Sequence, residues 1–146
     1  MSKRNIIIVD LDGTLSDSGW REMHAQNKDW DLFHELGKAD NPHEDVKKLI
    51  QVFSDVGGYT LVGCTGRNEK FRAQTLAWLV NHDILLDDLL MRPENDWRPD
   101  HELKPSFFEA HYNEEEVLFV LDDREKVVQS WRDKGYNCWQ VRPGGY

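Results

Sequence analysis

The sequence predicts a three-layer α/β fold, with a parallel sheet of about five strands, helices on both faces and a small insertion after the first strand. Short apolar segments rich in β-branched residues alternate with helical patterns along the chain, and this alternation is typical of a parallel sheet. Glycines follow several of the helical patterns and mark their ends. The 146 residues are enough for a single domain with one sizeable core.

The alternation can be assigned element by element. The predicted strands are Asn5–Val9, Tyr59–Cys64, Leu86–Met91, Val117–Leu121 and Asn137–Val141, and the predicted helices are Glu44–Val56, Glu69–His82, Asp100–His111 and Asp123–Lys134. The first helix has the clearest pattern, with apolar residues at i, i+3, i+4 and i+7 and Gly57-Gly58 after its last residue. Trp131 and Trp139 are expected in the core.

Residues Ser16–His43 interrupt the alternation between the first strand and the first periodic helix. They are mostly polar, and we interpret them as a partly helical, cap-like insertion over the end of the sheet, within a single domain that spans residues 1–146. Trp20, Trp30 and Phe33 in this segment either pack it onto the sheet or stack on a nucleobase, and the sequence leaves both roles open.

Composition and charge exclude some classes of protein. No apolar run reaches the roughly 18 residues of a membrane span, and Ile6–Val9 is too short for a signal peptide, so we expect a cytoplasmic protein without a membrane partner. Cys64 and Cys138 form no CxxC pair and are expected to be buried, reduced thiols. The net charge of −9 argues against wrapping a long nucleic acid, although a local basic pocket can hold one phosphate or strand end. No protein partner is evident.

Polar side chains follow four of the five predicted strands, at the edge where parallel sheets bind ligands. The four groups are Asp10-Leu11-Asp12-Gly13-Thr14-Leu15, Thr65-Gly66-Arg67, Arg92 with Asp96, Arg98 and Lys104, and Asp122-Asp123-Arg124. We therefore expect a single site where these groups converge.

The residue types in these groups fit phosphoryl transfer. One carboxylate of the Asp10/Asp12 pair can attack phosphorus while the other serves the leaving oxygen as an acid and later activates water. Carboxylates held together repel one another unless a cation neutralises them, and oxygen ligands beside a phosphate favour magnesium. Thr65 can donate a hydrogen bond to the transferring group, and Lys104 can neutralise negative charge.

These motifs, in this order, resemble the haloacid dehalogenase (HAD) superfamily of phosphatases. More narrowly, Thr65-Gly66-Arg67, Met91–Lys104 and Asp122–Tyr146 resemble the phosphatase domain of phage polynucleotide kinase–phosphatases, which removes 3′-phosphates from nucleic-acid ends. The resemblance implies a Rossmann-like HAD fold with strand order 5-4-1-2-3. No GxxxxGK[ST] loop occurs in the sequence, so no kinase half is expected.

The resemblance also implies a role for each residue of the site. Asp10 would be the nucleophile and Asp12 the acid and base, while Asp123 would bind Mg²⁺ directly, with Asp122 in its outer shell. Asp10 and the backbone carbonyl of Asp12 would complete the metal site. The implied substrate-binding residues are Arg21, Thr65, Gly66, Arg67 and Lys104. Thr65 stands where a serine is usual, and residues 16–43 differ in sequence from the phage domain, so they are the expected source of substrate selection.

The expected function is a magnesium-dependent phosphomonoesterase that forms an aspartyl phosphate and acts on 3′-phosphates of nucleic-acid ends or nucleotides. The alternatives are a 5′-nucleotidase and a general phosphatase of small molecules. Asp12 argues against a dehalogenase, which needs no leaving-group acid, and the complete set of motif residues argues against a non-enzymatic binding module. Arg92, Arg98, Arg124 and Lys126 form either a track for backbone phosphates or salt bridges with the surplus carboxylates.

Overall fold

The computed structural model describes residues 3–145 and contains one parallel sheet of five strands. The strands are β1 (Ile6–Val9), β2 (Thr60–Asn68), β3 (Asp88–Arg92), β4 (Val117–Arg124) and β5 (Cys138–Gly144), in the order β3-β2-β1-β4-β5. Central β1 pairs with β2 and β4, so that Ile7 lies beside both Leu61 and Phe119. The predicted fold class and strand order are confirmed, and Tyr146 lies outside the described residues.

Six α-helices accompany the strands in residues 3–145: α1 (Glu22–Gln26), α2 (Trp30–Glu35), α3 (Glu44–Val56), α4 (Arg72–Asn81), α5 (Asp100–Glu109) and α6 (Glu125–Asp133). Short 3₁₀ turns occupy Gly19–Arg21, Leu36–Ala39, Glu69–Phe71 and Glu114–Glu116. Helix α3 has the predicted bounds and ends at Gly57, whose φ of 78° favours glycine. No helix in the described part of the chain is long and apolar enough to span a membrane.

Two apolar clusters cover the two faces of the sheet because side chains alternate along β1. Ile7 and Val9 pack with residues of α3 and α4, whereas Ile6 and Ile8 pack with residues of α5 and α6. Trp131 is fully buried, as predicted. The prediction for Trp139 was wrong: it lies on edge strand β5, is 48% exposed, and stacks on Phe119 with ring centroids 4.3 Å apart.

Strands β2 and β4 run beyond their predicted ends and carry the motif residues. The predicted helix start at Asp123 was wrong, because Asp122 and Arg124 remain in the sheet and pair with Gln140 and Gly144 of β5. Helix α6 begins only at Glu125. The backbone of the acidic pair is therefore fixed by the sheet rather than by a helix.

The two ends of the segment formed by residues 16–43 lie next to each other. Ser16 bridges to both Asp12 and Pro42, and the Asp17 N–H donates to the Asn41 carbonyl at 2.8 Å. The segment also contacts α4, where Trp78 Nε1 donates to the Asp40 carbonyl at 2.9 Å. The predicted insertion is thus partly helical, as expected, and is closed at its base.

Helix α5 contains Pro105, whose nitrogen has no hydrogen to donate to the carbonyl of His101. Ser130 of α6 donates its hydroxyl to that carbonyl at 2.5 Å instead. This hydrogen bond fastens α5 to α6 three residues before Lys104, which α5 presents at the edge of the sheet.

Candidate active site

Three buried carboxylates meet at the carboxyl ends of β1 and β4. Asp10 follows the last residue of β1, and Asp122 and Asp123 belong to the neighbouring β4. One oxygen from each of them lies within 4.8 Å of the other two. Such a set of hard oxygen donors fits a divalent cation.

Lys104 and Thr14 hold the group of carboxylates in place. Lys104 Nζ donates to Asp10 Oδ1 at 2.7 Å and to Asp122 Oδ2 at 3.0 Å. Thr14 Oγ1, from the turn that follows Asp10, lies 3.0 Å from Asp10 Oδ2 and 3.4 Å from Asp123 Oδ1. The second oxygen of Asp122 accepts from the Asp123 N–H at 2.9 Å.

The electrostatics of this group oppose the ionisation of Asp10. Burial, together with repulsion from Asp122 and Asp123, raises the pKa of Asp10 well above its usual value, and the attraction of Lys104 offsets only part of this. Burial works against the charge of Lys104, but Asp10, Asp122 and Asp100 outweigh it and raise the pKa of the lysine. A cation among the carboxylates would relieve the repulsion that Lys104 leaves.

Asp12 lies two residues from Asp10 but contacts two arginines instead of other carboxylates. Arg67 donates from Nη2 to Asp12 Oδ1 at 2.7 Å and from Nε to Oδ2 at 3.1 Å. Arg21 Nη2 donates to Asp12 Oδ1. Burial alone would raise the pKa of Asp12, but Arg67 and Arg21 outweigh it and hold the pKa well below its usual value.

The two arginines are buried and have further partners. Arg21 also donates from Nε to Asp40 Oδ1 at 2.9 Å and from Nη1 to the Phe33 carbonyl at 2.7 Å. Arg67 Nη1 donates to Thr75 Oγ1 at 3.1 Å. Neither guanidinium lines the cavity in front of the carboxylates. The structure therefore brings Arg21 and Arg67, predicted to contact substrate, to the carboxylate of Asp12.

Thr65 and Gly66 lie on the β2 side of the site. Thr65 is fully buried, and its Oγ1 accepts from the Arg67 N–H at 3.1 Å. A Cβ on Gly66 would lie 2.5 Å from Oδ2 of Asp100 and 2.6 Å from its Cγ, so only glycine fits there while Asp100 stays in place. Asp100 is in turn held by Arg92 and by Arg124, whose Nη1 donates to it at 2.9 Å.

A cavity of about 870 Å³ opens in front of Asp10, Asp12 and Lys104. The insertion contributes Lys28, Trp30, Phe33 and His34 to its wall, and the connection between β3 and α5 contributes Trp97 and Arg98. The volume lies within the range of small-molecule sites. The carboxylate of Asp10 is thus reachable from outside although its residue is buried.

Sequence reasoning missed several residues that hold this site together. Asp100 lies one helical turn before Lys104, which is the signal that could have identified it. Thr14 was inside a motif already noted, and a hydroxyl in that turn can reach the carboxylates. Asp40 and His34 carry no sequence signal, because only the folding of the insertion brings them to Arg21 and Asp12.

Solved structures of distantly related sequences share the fold of this chain. A haloacid dehalogenase-like hydrolase from Streptococcus pneumoniae superposes with a TM-score of 0.63 at 12% identity, covering 97% of this chain and 94% of the other. A predicted phosphatase from Clostridium acetobutylicum superposes with a TM-score of 0.67 at 15% identity, covering 94% and 84% of the two chains. At these identities the likeness concerns the fold alone, which is that of the HAD hydrolases.

The family is shown by a match along nearly the whole sequence. Residues 4–146 match the model of the polynucleotide kinase PNKP phosphatase domain, and the chain belongs to this family of HAD-type phosphatases. A chain in the structure of the Pnkp1/Rnl/Hen1 RNA repair complex is 30% identical, with a TM-score of 0.83 and coverage of 97% of this chain. The match covers only 44% of that other chain, so the present chain spans less than half of its length.

Proposed function

We propose that the protein is a magnesium-dependent phosphomonoesterase that acts through an aspartyl phosphate on 3′-phosphates of nucleotides or nucleic-acid ends. The observation that carries the proposal is that one cavity is lined by two buried carboxylates with different partners. Asp10 is in contact with Lys104, and Asp12 is in contact with two arginines. A nucleophile and a separate acid and base are what phosphoryl transfer by way of an aspartate requires.

In the first step, an oxygen of Asp10 forms a bond to phosphorus while the bond between phosphorus and the alcohol oxygen breaks. Asp12 gives its proton to that leaving oxygen. In the second step, water attacks phosphorus and the bond between phosphorus and the Asp10 oxygen breaks. Asp12 takes a proton from the water, and inorganic phosphate leaves. Lys104 holds Asp10 in place and offsets charge on the phosphoryl oxygens.

Asp12 must carry a proton when the alcohol leaves, whereas its two arginines favour the ionised form in the free protein. A bound phosphate brings up to two negative charges close to Asp12, and these raise the pKa of its carboxyl. Binding of the substrate therefore favours the acid form of Asp12 at the stage at which it is needed.

The carboxylates fit a magnesium ion. Asp10 and Asp123 would hold it, with Asp122 behind them and the backbone carbonyl of Asp12 as a further ligand. Three buried carboxylates with one oxygen each within 4.8 Å of the other two, together with a raised pKa at Asp10, are the observation that supports this. When bound, the ion would neutralise charge on the phosphoryl group and on its carboxylate ligands.

The choice of a 3′-phosphate rests on the family to which the chain belongs and on its likeness to a chain of an RNA repair complex. A comparison of kcat/KM for a 3′-phosphorylated dinucleotide, a 5′-mononucleotide and a sugar phosphate, with and without Mg²⁺, tests the proposal. We expect the dinucleotide to be the best substrate and activity to need Mg²⁺. A sugar phosphate preferred by tenfold or more would exclude the nucleic-acid assignment, and a preferred 5′-mononucleotide would indicate a nucleotidase.

A further inference from the structure

We propose that the cavity binds a single-stranded nucleic-acid end whose bases stack on Trp97 and Trp30 beside Lys28 and Lys126, which makes Trp97 a specificity-determining residue. This inference rests on the proposed function and extends it to how the strand is held. It is carried by the exposure of Trp97, by the fixed backbone around it, and by the charges of the cavity wall.

Trp97 is 85% exposed, although it lies on the wall of the cavity that leads to Asp10. A tryptophan side chain offers a large apolar surface, and a folded chain normally buries most of it. In this structure the indole is left available to whatever enters the cavity. A flat aromatic ring next to a phosphate-binding site suits the stacking of a base.

The backbone around Trp97 is held in place although the ring is free. Arg92 donates from Nη1 to the carbonyl of Asp96 at 2.9 Å and to that of Arg98 at 2.6 Å, on the two sides of the tryptophan. The side chains of Asp96 and Arg98 also pair, with Arg98 Nη2 2.7 Å from Asp96 Oδ2. Trp97 is thus presented by an ordered turn, which reduces the entropy lost when a ligand binds.

The same arginine connects this turn to the reaction site. Arg92 Nε donates to the Gly66 carbonyl at 2.9 Å, next to Thr65, and its Nη2 pairs with Asp100, one helical turn before Lys104. The stacking surface and the phosphate site are therefore parts of one hydrogen-bonded unit. A base resting on Trp97 would have a defined position relative to the phosphate.

Trp30 lines the same cavity from the insertion and is 41% exposed. Its ring is supported by an edge contact with Phe33, with centroids 5.8 Å apart, and by a stacked contact with His34 at 6.2 Å. His34 also lines the cavity, and its buried Nδ1 has no hydrogen-bond partner among the described residues. This nitrogen faces the interior, 3.7 Å from Asp12 Oδ2, so His34 contributes to the wall through its ring, which supports that of Trp30.

Beyond Lys104, which pairs with Asp10 and Asp122, the lysines and arginines of the wall divide into two groups. Arg92 and Arg124 pair with Asp100, Arg98 pairs with Asp96, and Lys70 pairs with Asp31, so these four offset carboxylates. Within residues 3–145, Lys28 and Lys126 are exposed wall residues that form no ion pair. Two available lysines fit a short strand with few phosphates, in keeping with the net charge of −9.

The test compares Trp97→Ala and Trp97→Phe with the control Leu85→Ala, which removes an exposed apolar side chain outside the cavity wall. We expect Trp97→Ala to lower kcat/KM for a 3′-phosphorylated trinucleotide about 5- to 100-fold more than for p-nitrophenyl phosphate, mainly through KM. Trp97→Phe should recover most of the loss, and Leu85→Ala should leave the ratio unchanged. An equal loss on both substrates in Trp97→Ala would overturn the inference.

A binding measurement separates this inference from the proposed function. A fluorescently labelled single-stranded hexanucleotide with a 3′-hydroxyl is titrated with each protein, and anisotropy reports binding without catalysis. We expect Trp97→Ala to weaken binding about 5- to 100-fold and a blunt duplex of the same sequence to bind more weakly than the single strand. Unchanged binding in Trp97→Ala would overturn the inference alone, even in a protein that prefers 3′-phosphates. If Trp97→Ala weakens binding as expected but the unaltered protein prefers sugar phosphates as substrates, only the proposed function would be overturned.

Discussion

Asp10 and Asp12 are separated by one residue, and both are buried, yet their surroundings are opposite. Asp10 faces two other carboxylates and one lysine, and its pKa is raised. Asp12 faces two arginines, and its pKa is lowered. On a continuous strand, residues two apart would point to the same side. The turn that follows Val9 ends the strand and places the two identical side chains in two electrostatic environments.

The different surroundings of Asp10 and Asp12 give one type of side chain two roles. A carboxylate among like charges is suited to bind a cation and to react once the cation is bound. A carboxylate fixed by arginines keeps a single orientation and changes its protonation when another anion approaches. Pairs of titratable groups whose surroundings push their pKa values apart are typical of acid and base assignments in active sites.

The largest expected effect comes from removing the charge of Asp10, the proposed nucleophile. We expect Asp10→Asn to lower kcat by at least about 10⁴-fold, because an amide is a poor nucleophile and a weaker metal ligand. Steady-state hydrolysis of p-nitrophenyl phosphate measures the loss, and beryllium fluoride, which imitates an aspartyl phosphate, should inhibit the unaltered protein. Full activity in Asp10→Asn would exclude the covalent mechanism.

The matching change at Asp12 should have a different signature. We expect Asp12→Asn to lower kcat for a 3′-nucleotide about 10²- to 10⁴-fold, the usual contribution of a general acid or base. The loss on p-nitrophenyl phosphate should be smaller, because its leaving group needs little protonation. The Mg²⁺ concentration for half-maximal activity should stay close to that of the unaltered protein, whereas Asp123→Asn should raise it. A large rise in Asp12→Asn would contradict the separation of roles.

Asp40 tests whether the surroundings of Asp12 depend on the insertion. Asp40→Asn removes the charge that pairs with Arg21 in the interior, and we expect a loss of about 3–5 kcal/mol in the free energy of unfolding. Asp45→Asn is the control, because its pair with Arg142 lies on the surface and should contribute at most about 1 kcal/mol. Urea unfolding measures the loss of stability in both variants. Equal losses would show that the buried pair of Asp40 with Arg21 contributes no more than the surface pair.

His34, 3.7 Å from Asp12 through Nδ1, should make stability depend on pH. Burial lowers the pKa of His34 to about 4, and Arg67 and Arg21 add to this against the attraction of Asp12. The unfolded state therefore binds the proton more readily, so the contribution of His34 is complete above about pH 6.5 and is lost as the pH falls towards 4. At pH 5 the expected loss is about 2 kcal/mol.

Urea unfolding between pH 7 and pH 5 measures the contribution of His34. In His34→Phe, which keeps an aromatic ring against Trp30, the fall in stability over this range should be smaller by about 2 kcal/mol. Replacement of the exposed His111 by Gln controls for the loss of an imidazole from the surface. The same pH dependence in His34→Phe as in the unaltered protein would contradict the expectation.

The smallest expected effect concerns the support of Asp123 by β5. A Cβ on Gly144 would lie 2.5 Å from the Asp123 carbonyl oxygen and 2.8 Å from its Oδ2. Gly144→Ala should therefore displace Asp123 and weaken Mg²⁺ binding about tenfold, in line with changes behind metal ligands. Gly145→Ala has open space around its Cβ and is the matched control. Mg²⁺ titration of activity distinguishes the two variants.

The sequence predicted the sheet and its acidic edge well because both depend on local patterns. Apolar segments identify buried strands, and residues after parallel strands meet at one edge, so the convergence of Asp10 with Asp122 and Asp123 could be foreseen. The partners of Asp12 were harder to predict from the sequence. The sequence marks Arg21 as a candidate but does not reveal that its guanidinium bonds to Asp40 and Asp12 inside the protein.

The two wrong predictions, for Trp139 and for the start of α6, have the same physical cause. Trp139 was expected in the core because it is aromatic and lies in an apolar strand, but an edge strand leaves part of its ring uncovered. The start of α6 was placed too early because aspartates often precede helices, whereas pairing with β5 keeps Asp122 and Arg124 extended. Both outcomes depend on which strands are neighbours, and local patterns do not contain that information.

The closed base of the insertion has a consequence for how such a protein can diversify. Residues 16–43 begin and end side by side, with Ser16 bridged to Pro42 and the His43 N–H donating to the Leu15 carbonyl at 2.8 Å. A segment with adjoining ends can be exchanged for one of another length at little entropic cost, and the sheet need not move. Substitution of this one segment would then alter the wall that meets the substrate while Asp10, Lys104 and Asp123 stay in place.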